Sequence, residues 1–326
     1  MRGRSIVLIL VILFLISTFL YPKTTITLYT SVPQSIISDV EKEFEKTHPD
    51  IDLVVYRSGT SKIVAKLAAE IEANRISADM VWVADPAYYV YLKEKGLLVK
   101  YSSKELDKIP KKFKDKDGYF FGVRAISMVI AYNTNLLSRE EAPKSWKALL
   151  DEKFRGTIAL GSPLYSGSNL VWTYAMIKKY GWDYIEKLSE LDVDVLQGNK
   201  AVLQELTKGA DKVAIVLDYM VRGAKKKGSP VDLVYPEDGN VIIISPIAIF
   251  KNCKDLESAE KFVDFIASKR GQELMAKFSM IPLRTDVKPP EGVELEKILN
   301  SAIELNLKEL HEKSEEIKEE FADIFE

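Results

Sequence analysis

The chain has 326 residues, 47% hydrophobic and 29% charged, with 46 Lys and Arg against 48 Asp and Glu. That length supports about two domains, each with its own core, and a formal charge of −2 gives no general electrostatic attraction to nucleic acid or anionic lipid. One cysteine, Cys253, and two histidines, His48 and His311, exclude an internal disulfide and a cysteine-based metal cluster and leave few ways to assemble a nucleophilic triad.

Arg2 and Arg4 precede the apolar run Ile6–Leu20, the layout of a signal peptide and short for a membrane-spanning helix. Residues 1–22 are therefore read as a signal peptide or membrane anchor of an exported protein, without a clear small-x-small cleavage site. The folded part begins near Pro22–Thr25.

Apolar strands then alternate with amphipathic helices, which predicts an α/β protein with mainly parallel sheets. Thr25–Tyr29 is the first strand, followed by a helix with Ile36, Ile37, Val40 and Phe44 on one face and a capping box from Ser31 and Gln34. A second unit runs from "IDLVVY" through Ser58-Gly59-Thr60-Ser61 into "KIVAKLAAEIEAN". A third strand, "ADMVWVAD", ends at Asp85-Pro86; Asp79 at its start and Asp85 at its end are read as separate structural groups, not a catalytic pair. The lysine-rich stretch 102–117 reads as a solvated loop. "GYFFGVRAISMVIAYN" is a long β-prone run with the character of a crossing between two lobes.

A second α/β set spans about Lys144–Lys227. It includes "IALGSPLYSGSNLVWTYAMIKKYG" at 158–181, "WDYIEKLSEL", "GNKAVLQELTKG" and "KVAIVLDYM". "VDLVYPEDGNVIIISPIAIF" reads as the return crossing. Leu295, Ile298, Leu299 and Ile303 give a helical stripe in the charged C-terminal region, which is expected to dock as a helix on one lobe. His48 and His311 are expected at the surface.

Three loops of small hydroxyl residues, Thr30-Ser31, Ser58-Gly59-Thr60-Ser61 and Ser166-Gly167-Ser168, each join a strand end to a helix start, and Gly198-Asn199 opens another helix. Ligands of open α/β sheets bind at this edge, and unpaired N–H groups at helix N-termini suit an anion. Rival motifs are absent: Gly161 to Gly167 lacks the spacing and the Gly-Lys-Ser/Thr of a phosphate loop, and "GSPLYSG" is not a nucleophile elbow.

The order of "ITLYTS", "YRSGTSKIVAKL", "SADMVWVADPAYYVYLKEKGLL", "YSGSNL", "GNKAVLQELTKGADKVAIVLDY", "YPEDGNVIIISPIAIFKN" and "AEKFVDFIASKRGQELMAK" resembles the periplasmic solute-binding proteins of ABC importers. The branch it resembles contains ferric-iron, sugar-phosphate and phosphonate receptors, and the resemblance covers residues 24–305. It implies a two-lobe periplasmic-binding-protein fold with two crossing strands as hinge and a cleft that closes on ligand. Lobe I would comprise 23–122 and 246–305, lobe II 133–231, and the crossings 123–132 and 232–245, with 306–326 as a C-terminal helix.

The resemblance also implies a binding function without catalysis: capture of a small phosphorylated or phosphonate-like anion for a membrane permease, by a monomer that binds no nucleic acid and needs no cofactor. The residues expected to touch ligand are Thr30, Ser31, Ser58, Gly59, Thr60, Asp85, Ser166, Gly167, Ser168, Asn199, Asp218, Tyr219 and Glu237. Ser31, Thr60, Ser166, Ser168 and Asn199 would hold the anionic head, and Asp218 and Glu237 would accept bonds from its other end. Ferric receptors of the branch carry adjacent tyrosines where this chain has Asp218-Tyr219, and a His where it has Val32-Pro33. Asp85, Asp218 and Tyr219 form the alternative, iron-binding set. An exported phosphate-ester hydrolase is the alternative of another class, and it lacks a visible nucleophile or metal cluster.

Overall fold

The computed structural model describes residues 23–325, so the leader at 1–22 lies outside the described residues. Strand β1 (Thr24–Thr30) leads into α1 (Gln34–Thr47), whose Ile36, Ile37, Val40 and Phe44 are buried as their spacing requires. The capping box does not form. Pro33 stands at the N-cap, Gln34 turns to Ser38, and Ser31 Oγ is drawn away to accept the N–H of Ala84 at 3.2 Å.

The second unit, β2 (Ile51–Arg57) and α2 (Thr60–Glu72), repeats the design. Strand β3 (Met80–Trp82) is shorter than its apolar run because Asp85 leaves the ladder to cap α3 (Pro86–Glu94). Asp79 accepts the backbone N–H groups of Thr27 and Lys254, so the two carboxylates do serve separate structural ends. Strand β4 (Phe121–Asn133) is buried along its whole length.

Beyond it come β5 (Ile158–Gly161), α4 (Gly167–Tyr180), α5 (Trp182–Ser189), β6 (Asp194–Leu196), α6 (Asn199–Lys208), β7 (Val213–Leu217) and α7 (Asp218–Lys226). Tyr219 thus sits in the first turn of a helix, not at the end of a strand. The chain returns through β8 (Val231–Val234) and β9 (Val241–Ile249) to α8 (Leu256–Ala267) and α9 (Lys269–Lys277).

The sheet runs β2-β1-β3-β9-β4-β7-β5-β6, with β8 also on β4. β1 is parallel to β2 and β3, and β5 is parallel to β6 and β7; β4 and β9 lie antiparallel between these two halves. One end of β4 pairs with β9 and the other with β7 and β8. The result is a two-lobe α/β fold joined through crossing strands. The β4–β9 register slips between Gly122 and Arg124. A Cβ on Gly122 would stand 2.4 Å from Ile244 Cγ2 and 2.7 Å from the Phe113 carbonyl, so this tight pairing needs glycine. The irregularity re-aims the side chain that follows it, Arg124.

The C-terminal region is not one helix on one lobe. It breaks into α10 (Leu295–Asn300), α11 (Leu307–Glu312) and α12 (Ser314–Phe325). Ala302 bridges to Asn240 beside the crossing strands, and the Asn306 side chain caps a new start by accepting the Glu309 N–H. α11 then packs on α3 while α12 packs on α4 and α5, so His311 is half-buried with its ring 4.7 Å from that of Tyr91.

Candidate functional site

Three helices that begin at the seam between the lobes, α2, α4 and α6, lack side-chain caps, whereas α3, which begins beside them, has one. α3, α8, α9 and α11 are capped by Asp85, Asp255, Ser268 and Asn306. The N-caps of α2, α4 and α6 are Gly59, Ser166 and Gly198, none of which makes a side-chain cap bond. Their first N–H groups therefore remain available, each with the positive end of a helix dipole behind it.

The fold brings these three ends together. Asn199 Nδ2 donates to Ser168 Oγ at 2.9 Å and to Ser166 Oγ at 3.3 Å, and the two hydroxyls lie 3.1 Å apart. Asn199 Oδ1 is buried without a partner among the described residues. Across the seam, a Cβ on Gly167 would stand 2.8 Å from both the Ala84 carbonyl and Thr60 Cγ2, and one on Gly59 would stand 3.3 Å from the Tyr165 carbonyl. The loops at 58–60, 84–85 and 165–168 are thus in direct apposition.

Arg124 completes the group and was not among the residues expected from sequence. It is 2% exposed, yet no acid pairs with it among the described residues, and its Nε has no partner there. Its guanidinium sits 5.2 Å from the Trp82 ring centroid, and Nη1 donates only to Met280 Sδ, a weak acceptor. Burial pushes the arginine pKa down, partly offset by Tyr219 and Tyr89. A buried cation without an anion is costly unless one arrives from outside. Arg124 pairs with Ser245, whose hydroxyl donates to the Val83 carbonyl, next to the Ala84 that meets Gly167, so this charge lies beside the seam. Arg57, its Nε donating to the Val32 carbonyl, acts with Arg124 to favour an ionised Tyr219, though burial pushes that phenol up overall.

Several expected ligands are otherwise engaged. Asp218 is fully buried: Oδ1 accepts the N–H groups of Ser127 and Tyr219, and Oδ2 accepts Arg222 Nη2 at 2.8 Å and the Tyr235 hydroxyl at 2.9 Å. It fastens α7 to the crossing strands and has no oxygen free for solute. Glu237 is exposed and shares a surface cavity with Lys178 and Lys179. Those lysines stand at the C-terminal end of α4, roughly 17 Å along its axis from Gly167, so Glu237 is not at the seam. Asp85 Oδ1 is taken by the N–H groups of Ala87 and Tyr88, and burial pushes its carboxyl up. Thr30 donates to the Trp82 carbonyl and accepts from Val32, so its hydroxyl holds the loop in shape. Ser31 likewise supports Ala84, and Ser58 bonds through its backbone N–H to the Thr30 carbonyl.

Two parallel α/β lobes, crossing strands between them and a cluster of donors at their seam define a solute-binding receptor of the two-lobe periplasmic type. A family model described as bacterial extracellular solute-binding protein matches residues 76–298, and the chain belongs to that family. It is 26% identical over 256 residues to a putative 2-aminoethylphosphonate-binding periplasmic protein of Salmonella typhimurium, covering 73% of this chain and 72% of the relative. Its fold is similar to that of the periplasmic binding protein AfuA from Actinobacillus pleuropneumoniae with exogenous fructose-6-phosphate bound (TM-score 0.83, 24% identity, 93% of this chain and 99% of that one). Iron-bound HitA from Pseudomonas aeruginosa is also similar (TM-score 0.80, 22% identity, 92% and 99%). These relatives are binding proteins. Among the described residues, no helix is long and apolar enough to cross a membrane.

Proposed function

We propose that this protein is the exported receptor of an ABC importer, and that it captures a small phosphorylated or phosphonate-like solute between its lobes for delivery to a membrane permease. The observation that carries this reading is the convergence of three uncapped helix N-termini at the seam beside which Arg124 is buried without an acid among the described residues. Backbone N–H groups, hydroxyls and a guanidinium fork together match the geometry and charge of a tetrahedral oxyanion. The phosphonate named for the Salmonella relative and the sugar phosphate named for the AfuA structure share such a head. The crossings at 123–132 and 232–245 are the hinge, and Ser166, Gly167, Ser168, Asn199, Thr60 and Arg124 are the residues about the anion. The protein binds its solute without transforming it.

The iron reading has less support. Asp218 has both oxygens occupied, Asp85 has one in a cap, and Tyr219 is a single phenol whose burial opposes ionisation.

Ser166→Ala and Ser168→Ala test the proposal. Neither hydroxyl caps α4, so the stability each variant loses is that of its bond to Asn199, about 0.5–1.5 kcal/mol, and the deciding readout is affinity. Calorimetric titration with the tightest binder from a panel of phosphate esters and alkylphosphonates should show affinity lowered about tenfold to a hundredfold, the worth of a hydrogen bond to a charged group. Lower Tm with unchanged affinity in both would remove the anion assignment.

A further inference from the structure

The two lobes are connected a second time, beside the crossing strands, by the C-terminal region. The contacts of three residues on the short helix α11, Lys308, Glu309 and His311, divide between the lobes. Toward α3, Lys308 Nζ lies 3.3 Å from Glu94, and the His311 ring lies 4.7 Å from Tyr91 and 6.4 Å from Tyr88. Toward α4, Glu309 accepts the Tyr174 hydroxyl at 2.9 Å and Lys178 Nζ at 3.2 Å. Leu310, between them, is fully buried, and α12 anchors the assembly by burying Ile317 and Phe321 on the α4–α5 side.

α3 follows a strand of one parallel half and α4 follows a strand of the other. A helix of six residues can hold both only while they stand close together. The bonds α11 makes to α4 are polar, through Glu309, and they border a cavity of about 270 Å³ lined by Tyr174, Ile177, Lys178, Trp182, Glu309 and Ile317.

We propose that α11 is a closure latch: Glu309 on one side and His311 with Lys308 on the other favour the closed arrangement before solute arrives. A latch that raises the closed fraction in the free protein raises apparent affinity by the same factor and slows release. The inference rests on the two-lobe reading but not on the nature of the solute.

Its test uses solute-stripped protein, so that its failure is distinct from failure of the anion assignment. Spin labels at Lys62→Cys and Lys200→Cys, in a Cys253→Ser background, place probes on exposed positions near the starts of α2 and α6, in opposite lobes. Pulsed dipolar spectroscopy should show a dominant short-distance population in the parent. Glu309→Ala and His311→Ala should each lower the closed-to-open ratio about two- to tenfold, the effect of losing one ordinary hydrogen bond or contact. Lys308→Ala, an exposed change that the fold tolerates, should move it the same way by less and decides the matter if another variant fails to fold. Distance distributions that superimpose across the variants, or a parent that is wholly open without solute, would overturn the latch.

Discussion

Replacing Arg124 by Met is expected to abolish high-affinity capture of the anion while leaving the solute-free protein at least as stable as the parent. The two effects have one cause. In the free protein the guanidinium is held in an apolar setting against Trp82 and Met280, with no acid among the described residues to offset its desolvation, so a similarly shaped apolar side chain removes a penalty. In the complex that same desolvated cation gives a charge-assisted, two-pronged contact worth roughly 1.5–3 kcal/mol, or about ten- to over a hundredfold in Kd. Arg124→Lys should recover only part of the affinity, because an ammonium keeps the charge and loses the fork. Calorimetric titration beside thermal unfolding measures both. A variant with lower Tm and parental affinity would mean that Arg124 is a packing residue.

The second large effect is expected at Gly167. This glycine is not among the residues with positive φ, so what it supplies is space. Valine there would drive its side chain into the Ala84 carbonyl, Thr60 Cγ2 and Asp85 Cβ across the seam, the first two only 2.8 Å from the Cβ position. Backbone carbonyls do not yield readily, and overpacking of this kind costs about 1–3 kcal/mol, or some five- to over a hundredfold in affinity. Because the clash exists only when the lobes meet, it falls on closure and spares the fold of each lobe. Small-angle scattering at saturating solute should therefore give a compact profile for the parent and an expanded one for Gly167→Val. Gly198→Ala is the internal control, since a Cβ there meets nothing within 4 Å. Compaction of the Gly167 variant equal to the parent's would show that the lobes do not close through this contact.

What the sequence conveyed and what it withheld divide along physical lines. Period-two and period-3.6 patterns are local, so strand-loop-helix units such as β1–α1 and β2–α2 were legible, and so was the small-residue loop ahead of α4. The bond from Asn199 to Ser168 was anticipated only as a shared role, since the two residues are 31 apart in the chain. Carboxylates misled for a different reason: sequence shows the charge but not what it faces. Asp218 is neutralised by Arg222 one helical turn away and by Tyr235 from the crossing, and Glu237 projects from a Pro-Glu-Asp-Gly turn at the far end of α4. The signal for Arg124 was present. It is the one charged side chain in a buried strand of 13 residues, and a lone charge in such a run calls for a partner that the described residues do not supply. The C-terminal stripe gave a helix but not its breaks, which are set by the Asn306 cap and the Ala302 bridge to the crossing region.

The most direct measurement is mass spectrometry of the solute released on denaturing the purified full chain, with phosphorus and iron determined on the same sample. A phosphorus-containing small anion in stoichiometric amount, lost from the Arg124→Met protein, is the expected result. Stoichiometric ferric iron without any phosphorus-containing solute, retained by that variant, would contradict the account.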